Sequence, residues 1–213
     1  MGENMKNKLS LLILMFFIIS LFFNTLFYLS LLDLTSVATK NKERVLSISK
    51  QQENCRRELR SQLCEWIYKK YTRSSRETIL KIIDESMETK HPFLILALFG
   101  AESEFNPTAK SSVGALGLGQ IMPKYYADIL KKEGIIKEIR DLYNVTENIK
   151  ATEYALLYEL ERAEGNFALA LSRYSGGASK YFSKVAENYI YLTMIKKNTY
   201  LKYGIISLTK ERM

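Results

Sequence analysis

The stretch that decides the fold of this 213-residue chain is FLILALFGAE, residues 93–102, which is apolar on nearly every side. A helix that lacks a polar face is expected to lie inside a protein, so this stretch predicts a buried central helix. Pro92 suits the first turn of that helix, and Asn106-Pro107 is expected to end it.

Amphipathic patterns lie on both sides of this stretch. Apolar residues recur at helical spacing, and Ser74 with Glu77 predicts a capping box before residue 79. No clear alternating strand pattern, repeat or low-complexity segment is present. The fold class is therefore predicted to be mainly α. The expected helices cover residues 53–67, 79–87, 93–102, 124–132, 149–163, 167–174 and 180–196.

Glu102 closes the apolar stretch, and a carboxyl group at the end of a buried helix is chemically unusual. Burial disfavours the charged form and is expected to raise the pKa of this carboxyl. A carboxylic acid that stays protonated near neutral pH is what protonation of a glycosidic oxygen requires. The plainer interpretation is a carboxylate at a helix end that reaches water. On position alone, both interpretations stay open.

The residues from Glu102 onward carry the most specific motif in the chain. They read ESEFNPTAKSSVGALGLGQIMP over residues 102–123, which closely resembles the ES…GA.GL.QIMP signature of the soluble lytic murein transglycosylase family. The chain is therefore identified as a member of that family over roughly residues 79–195. Further blocks of the family are matched in order by Asp141-Leu142, Asn148-Ile149, Tyr154, NFALAL at residues 166–171 and YSGG at residues 174–177.

The resemblance implies a lysozyme-like transglycosylase domain and a role for each matched position. Glu102 matches the catalytic acid/base of the family. Ser111 matches a serine that contacts the reacting sugar, and Gln120 and Met122 match residues that line the glycan groove. Tyr174 matches a tyrosine that hydrogen-bonds near the catalytic glutamate and helps to orient it. These four are the expected substrate-binding residues.

The resemblance also implies a reaction that uses one carboxylate. Glu102 would protonate the oxygen between N-acetylmuramic acid and N-acetylglucosamine, and the substrate's N-acetyl group would stabilise the cation. Glu102 would then take the proton of the C6 hydroxyl, which closes onto C1 and gives a 1,6-anhydro product. Glu104 is a poor second carboxylate, because two residues along a helix it faces another side. No metal or cofactor is called for.

Two positions depart from the family pattern. Gly119 stands where methionine is usual, and this change is expected to remove part of a groove wall. Ser175-Gly176 replaces the common Asn-Ala after the tyrosine, so that loop and the substrate preference are expected to differ.

A hydrophobic anchor precedes the domain. Residues 9–32 form an almost unbroken apolar run without charge, and about 20 such residues span a membrane. Lys6 and Lys8 precede the run, as in a signal anchor. A cleaved signal has a shorter apolar core, of about 7–15 residues. We therefore favour an uncleaved anchor, with cleavage near Ser36-Val37-Ala38 and a secreted form as the alternative.

The charges that flank the anchor disagree with an outside location. More positive residues follow the anchor than precede it. Taken alone, the positive-inside rule therefore places the remainder of the chain in the cytoplasm. The wall-substrate motif is more specific, so the catalytic domain is expected outside the cytoplasm, in the periplasm or cell envelope. The positive residues after the anchor are Lys40, Lys42, Arg44 and Lys50.

Composition limits the remaining function classes. A formal net charge of +8 suits an anionic partner, but no Lys/Arg-rich run or nucleic-acid motif is present, which disfavours nucleic acid. His91 is the single histidine, which nearly excludes His-based zinc sites and Ser-His triads. On one helix Cys55 and Cys64 would lie about 13 Å apart along the axis, which favours two unpaired thiols over an interchain disulfide.

The expected organisation has four parts: a transmembrane signal anchor at residues 1–32, a linker and amphipathic helix at 33–71, the lytic transglycosylase domain at 72–197, and a tail at 198–213. The expected partners are peptidoglycan glycan strands, the membrane, and an envelope-spanning secretion or motility apparatus. Two other functions stay open. One is a lysozyme-type hydrolase on the same fold, and the other is a non-catalytic glycan-binding scaffold.

Overall fold

The computed structural model describes residues 2–177 and 180–205, with side chains from Leu14 onward, and it is mainly helical. No named strand occurs in those residues, where the β pairing is limited to isolated bridges around Leu116. The predicted mainly α fold class is thus confirmed. The helices are α1 Gly2–Lys70, α2 Arg76–Ser86, α3 Pro92–Glu102, α4 Pro123–Lys132, a short 3-10 helix Ile139–Tyr143, α5 Val145–Arg162, α6 Phe167–Tyr174 and α7 Tyr181–Lys202.

The chain divides into two compact units, and the first covers residues 1–53. This unit is the first part of α1. The sequence pattern allowed either a linker or the start of a helix at residues 33–52, and the structure has a continuous helix there. Every side chain from residue 14 to residue 53 is exposed. The hydroxyls of Thr25 and Ser30 donate to carbonyls one turn back, at 2.8 and 2.7 Å, which satisfies them without water. By length and composition, this helix is a candidate membrane span.

The second unit begins at Asn54 and is built around α3. The prediction of a buried central helix is confirmed, because five consecutive residues of α3 are completely buried. This helix packs most extensively on α7. The last turns of α1 contribute Leu59, Leu63 and Ile67 to the same core, at the spacing of one helix face. The five buried residues of α3 are Ile95, Leu96, Ala97, Leu98 and Phe99.

Asn188 of α7 ties the end of α1 to α3. Its Oδ1 accepts hydrogen bonds from the Tyr71 hydroxyl at 2.8 Å and from Lys70 Nζ at 3.0 Å. Its Nδ2 donates to the Ala97 carbonyl at 3.2 Å. Gly100 permits this approach, since a Cβ there would lie 2.7 Å from Asn188 Nδ2. Asn188 therefore joins the end of α1 to the C-terminal half of α3, which leads to Glu102.

Several predicted boundaries need correction. Ser75, not Ser74, caps α2 by accepting a hydrogen bond from Thr78 N at 3.1 Å. Ser74 instead donates to the Phe105 carbonyl at 2.6 Å, which fixes the chain after α3. The final helix continues past residue 196 to Lys202, and the 3-10 helix was not predicted. Of the predicted tail, residues 206–213 lie outside the described part of the chain.

The two cysteines lie on α1, and the single histidine lies at the start of α3. Cys55 and Cys64 are both buried and free. His91 occupies the N-cap position of α3 without a capping hydrogen bond from its side chain, and it is exposed. None of the three faces the cleft described below.

Candidate active site

Glu102 is the last residue of α3, and an abrupt backbone turn follows it. Glu104 and Phe105 both adopt positive φ, at 56° and 61°, which is uncommon outside glycine. The turn is held by Phe105, whose ring is buried against Tyr71 and Phe99 with centroids 5.3 and 6.4 Å away. The helix thus ends at Glu102, which lies in the wall of an open cleft, and the buried Phe105 ring helps to hold the turn that follows.

The surroundings of Glu102 keep it close to half-protonated at neutral pH. Burial raises the pKa of this carboxyl from its ordinary value of 4.5 to about 7, while Tyr181 and Lys184 act in the opposite direction. Lys184 Nζ donates to the neighbouring Ala101 carbonyl at 2.8 Å, which keeps its charge near the site. Both the acid and the base form of Glu102 are therefore accessible near pH 7.

Tyr181 lies next to Glu102, although the sequence did not identify it. Its hydroxyl is buried and meets no partner at full hydrogen-bonding geometry in the described residues. It is nevertheless near enough to Glu102 to lower the pKa of that carboxyl as a donor would. Burial, followed by the Glu102 charge, raises the pKa of the phenol well above its usual range, so Tyr181 stays protonated. With 14 tyrosines in the chain, only the fold singles this one out.

The glycine-containing loop of residues 109–121 has a fixed internal structure. Ser111 Oγ accepts a hydrogen bond from Ala115 N at 2.9 Å. Gln120 has a positive φ of 49°, and its side-chain amide donates to the Gly117 and Ala109 carbonyls at 2.9 and 3.3 Å. Met122 is the N-cap residue of α4. These bonds set the loop residues before any ligand arrives.

Gly119 joins this loop to the helices beneath it. Its N–H donates to Asn148 Oδ1 at 2.8 Å, and its carbonyl accepts from the Tyr174 hydroxyl at 2.7 Å. A Cβ at Gly119 would collide with the side chain of Thr152 on α5. Gly119 is buried and does not line the cleft. The expectation that its missing side chain removes part of a groove wall is therefore wrong, because that side chain would point into α5.

Tyr174 lies in the cleft, and its hydroxyl contacts the glycine-containing loop. Its hydroxyl donates to the Gly119 carbonyl, so its direct partner is the loop and not Glu102. Burial, followed by the Glu102 charge, raises the pKa of this phenol well above its usual range. Tyr174 thus sits close enough to Glu102 to feel its charge while it fixes the loop.

The five residues predicted from sequence meet in one open cleft of about 840 Å³, whose lining includes Glu102, Ser111, Gln120, Met122 and Tyr174. Ser175 and Gly176, where the sequence departs from the family pattern, also line this cleft. Sequence reasoning missed a second group in the lining, which is rich in tyrosine and arginine. That group consists of Tyr125, Tyr126, Tyr158, Glu159, Arg162 and Arg173.

A helical domain with a raised-pKa carboxyl at the end of its buried helix, facing an open cleft, has the architecture of the lysozyme-like glycan-cleaving proteins. Comparison with known families agrees. Residues 80–194 match the family model described as Transglycosylase SLT domain. The match covers more than half of the chain, and the chain therefore belongs to the Transglycosylase SLT domain family. Proteins of this family are generally peptidoglycan-cleaving enzymes.

Proposed function

We propose that this protein is a peptidoglycan lytic transglycosylase. It cleaves the β-1,4 bond between N-acetylmuramic acid and N-acetylglucosamine and leaves 1,6-anhydro-N-acetylmuramic acid ends. The observation that carries the proposal is Glu102, whose pKa of about 7 suits a group that must act first as an acid and then as a base. Glu102 faces a cleft shared with the four other matched residues.

The nearby carboxylates support a mechanism with a single acid/base. Glycosidases that use water or a covalent intermediate usually need two carboxyl groups across the scissile bond. Glu104 is paired with Arg73, with Oε2 3.2 Å from Nε, and does not line the cleft. Glu159 lines the cleft but is buried, and it accepts hydrogen bonds from Tyr126 at 3.0 Å and from Arg162 at 3.1 Å. Neither carboxylate is free to activate water or attack a sugar.

The reaction then proceeds with groups of the substrate. Protonated Glu102 gives its proton to the glycosidic oxygen, and the bond from that oxygen to C1 breaks. The carbonyl of the neighbouring N-acetyl group stabilises the positive charge on C1. The Glu102 carboxylate next takes the proton of the C6 hydroxyl as O6 bonds to C1. Glu102 ends the cycle protonated, as it began, and no water is consumed.

The other matched residues hold the substrate in this proposal. Ser111 and Gln120 offer polar groups on a loop that is already ordered by its own hydrogen bonds. Met122 supplies an apolar wall. Tyr174 fixes the loop through Gly119, and so positions these residues relative to Glu102. Such pre-ordering reduces the entropy lost when a flexible glycan strand binds.

The same proposal includes the location of the enzyme. The apolar first helix is a candidate membrane span, and the wall substrate lies outside the cytoplasm. We therefore infer a membrane-anchored protein whose catalytic domain faces the periplasm or cell envelope. Local cleavage of the wall by such a protein would open gaps for an envelope-spanning secretion or motility apparatus.

Product analysis tests this function. The protein in detergent is incubated with purified peptidoglycan, and the released fragments are weighed by mass spectrometry. We expect anhydro-muropeptides from the parent and none from Glu102→Gln, while Glu104→Gln, the matched neighbour outside the cleft, keeps the activity. Fragments heavier by one water would instead establish a lysozyme-type hydrolase. Tight binding of glycan without release of fragments would establish a glycan-binding scaffold.

A further inference from the structure

One wall of the cleft carries charge and aromatic surface that the proposed chemistry does not use. Tyr126, Tyr158 and Arg162 pack on one another there, with the Tyr126 and Tyr158 ring centroids 6.3 Å apart. The Arg162 guanidinium lies 5.5 Å from the centroid of the Tyr158 ring. Arg173, the residue before Tyr174, lines the cleft beside them.

The two arginines of this wall differ in their pairing. Arg162 forms an ion pair with Glu159, with Nη1 3.1 and 3.2 Å from the two carboxylate oxygens. Glu159 also accepts the Tyr126 hydroxyl and is almost fully buried. The charge of Arg162 is thus balanced within the protein, and its side chain is held against Tyr158.

Arg173 has no such balance. Its one hydrogen bond among the described residues runs from Nη1 to the Arg162 carbonyl at 2.6 Å. None of the ion pairs within those residues includes Arg173. The side chain is exposed. The bond to a main-chain carbonyl restrains the guanidinium without neutralising it. Its remaining N–H groups and its positive charge are available on the cleft surface.

A restrained guanidinium selects a planar anion. Arginine presents a rigid fork of donors that matches the two oxygens of a carboxylate. The amino sugars of a peptidoglycan strand are uncharged where the lactyl group is amide-linked to its peptide. The carboxylates of the substrate are therefore carried by the stem peptides, next to the sugar that Glu102 is proposed to attack.

We propose that Arg173, braced on the Arg162 carbonyl, binds a carboxylate of the stem peptide, so that the cleft selects peptide-bearing strands. This inference rests on the proposed function, since it assumes a peptidoglycan substrate. It assigns to the arginine-tyrosine wall a role in recognition that is separate from the chemistry at Glu102. The sugar-facing residues position the glycosidic bond, and Arg173 binds the carboxylate of the stem peptide.

Arg173 also has a structural role that the test must separate. Its bond to the Arg162 carbonyl satisfies a free carbonyl at the end of α5. Arg173→Gln removes the charge but keeps an N–H donor for this carbonyl, and Arg173→Lys keeps the charge but loses the fork. Thermal unfolding of both variants reports any loss of the structural role.

The test measures binding without turnover, in a Glu102→Gln background of the full chain in detergent. Two ligands are prepared from the same glycan strands after acetylation of the peptide amines. One keeps the stem-peptide carboxylates, and in the other they are converted to primary amides. We expect about tenfold tighter binding of the carboxylate strands, as one charge-assisted contact at an exposed site provides. Higher salt should reduce this preference.

The variants decide the inference. Adding Arg173→Gln should bring the ratio of the two dissociation constants close to one, and Arg173→Lys should restore part of it. Arg140→Gln is the matched control, because Arg140 is exposed, paired with Glu138 and outside the cleft, and it should keep the full ratio. A ratio near one in the Glu102→Gln background, or a full ratio in the Arg173→Gln protein, would overturn the inference. Since product analysis uses turnover, that failure would leave the proposed function standing.

Discussion

Replacing Glu102 by glutamine should abolish cleavage and yet make the protein more stable at alkaline pH. Burial raises the pKa of this carboxyl from 4.5 to about 7, so ionising it costs more in the folded chain than in the unfolded chain. The group therefore stabilises the fold fully below pH 4.5, and this contribution is lost as the pH rises through about 7. Glutamine has a similar shape and no charge to lose.

The size of the effect follows from the two pKa values. Their difference, at about 1.4 kcal/mol per pH unit, corresponds to about 3 kcal/mol. Because Glu102 is only partly shielded from solvent, we expect a measured difference of about 2–3 kcal/mol. The free energies of unfolding of parent and variant should thus be similar near pH 4 and diverge by this amount above pH 8.

Urea unfolding in detergent provides the assay. Trp66, the single tryptophan, packs against the rings of Tyr71 and Tyr191 with centroids 6.1 Å away, so its fluorescence should report unfolding of the second unit. Glu104→Gln serves as the control, since it removes a surface ion pair and should give no alkaline gain. If Glu102→Gln and the parent differ equally at pH 4 and pH 8.5, then Glu102 is not desolvated and the reasoning from burial is refuted.

Three further predictions concern the same site. The kcat/KM for glycan cleavage should fall about tenfold per pH unit above about pH 7, because the free enzyme needs protonated Glu102; a flat profile to pH 9 would contradict this. Tyr181→Phe removes a hydroxyl that lowers the pKa of Glu102, so the alkaline limb of the pH profile should move to higher pH, whereas a purely structural role would leave it in place. Gly119→Ala should lower the free energy of unfolding by about 1–3 kcal/mol, since the added methyl collides with Thr152; addition of Thr152→Ala should recover part of this loss in the same urea assay.

The fold could be predicted from sequence where the composition of a single segment was enough to determine its burial. The apolar residues of α3 required burial whatever surrounded them, and the structure buries them completely. The cleft residues were found through the ordered motifs, which give the residues but not their contacts. The left-handed turn at Glu104 and Phe105 has no local signature, because a ring buried in the core enforces it.

The parts of the site that the sequence did not give depend on long-range packing. Tyr181 lies 79 positions from Glu102 in sequence, and only the packing of α7 on α3 brings it to the carboxyl. From the sequence, Arg173 resembles an ordinary surface residue of its helix. Its bond to the Arg162 carbonyl spans the loop between two helices, so only the fold shows it. Gly119 looked like a lost wall residue because no sequence pattern shows what its Cβ would touch.

The core contributed by the last turns of α1 has a practical consequence for dissecting this protein. A fragment cut at the limits of the family match, residues 80–194, would lose Leu63, Ile67 and Tyr71 from the core and the Tyr71 bond to Asn188. Such a fragment would expose apolar surface on α3 and α7 and should aggregate rather than fold. The limits of the family match and the limits of the folding unit do not coincide here. Expression trials should use the limits of the folding unit.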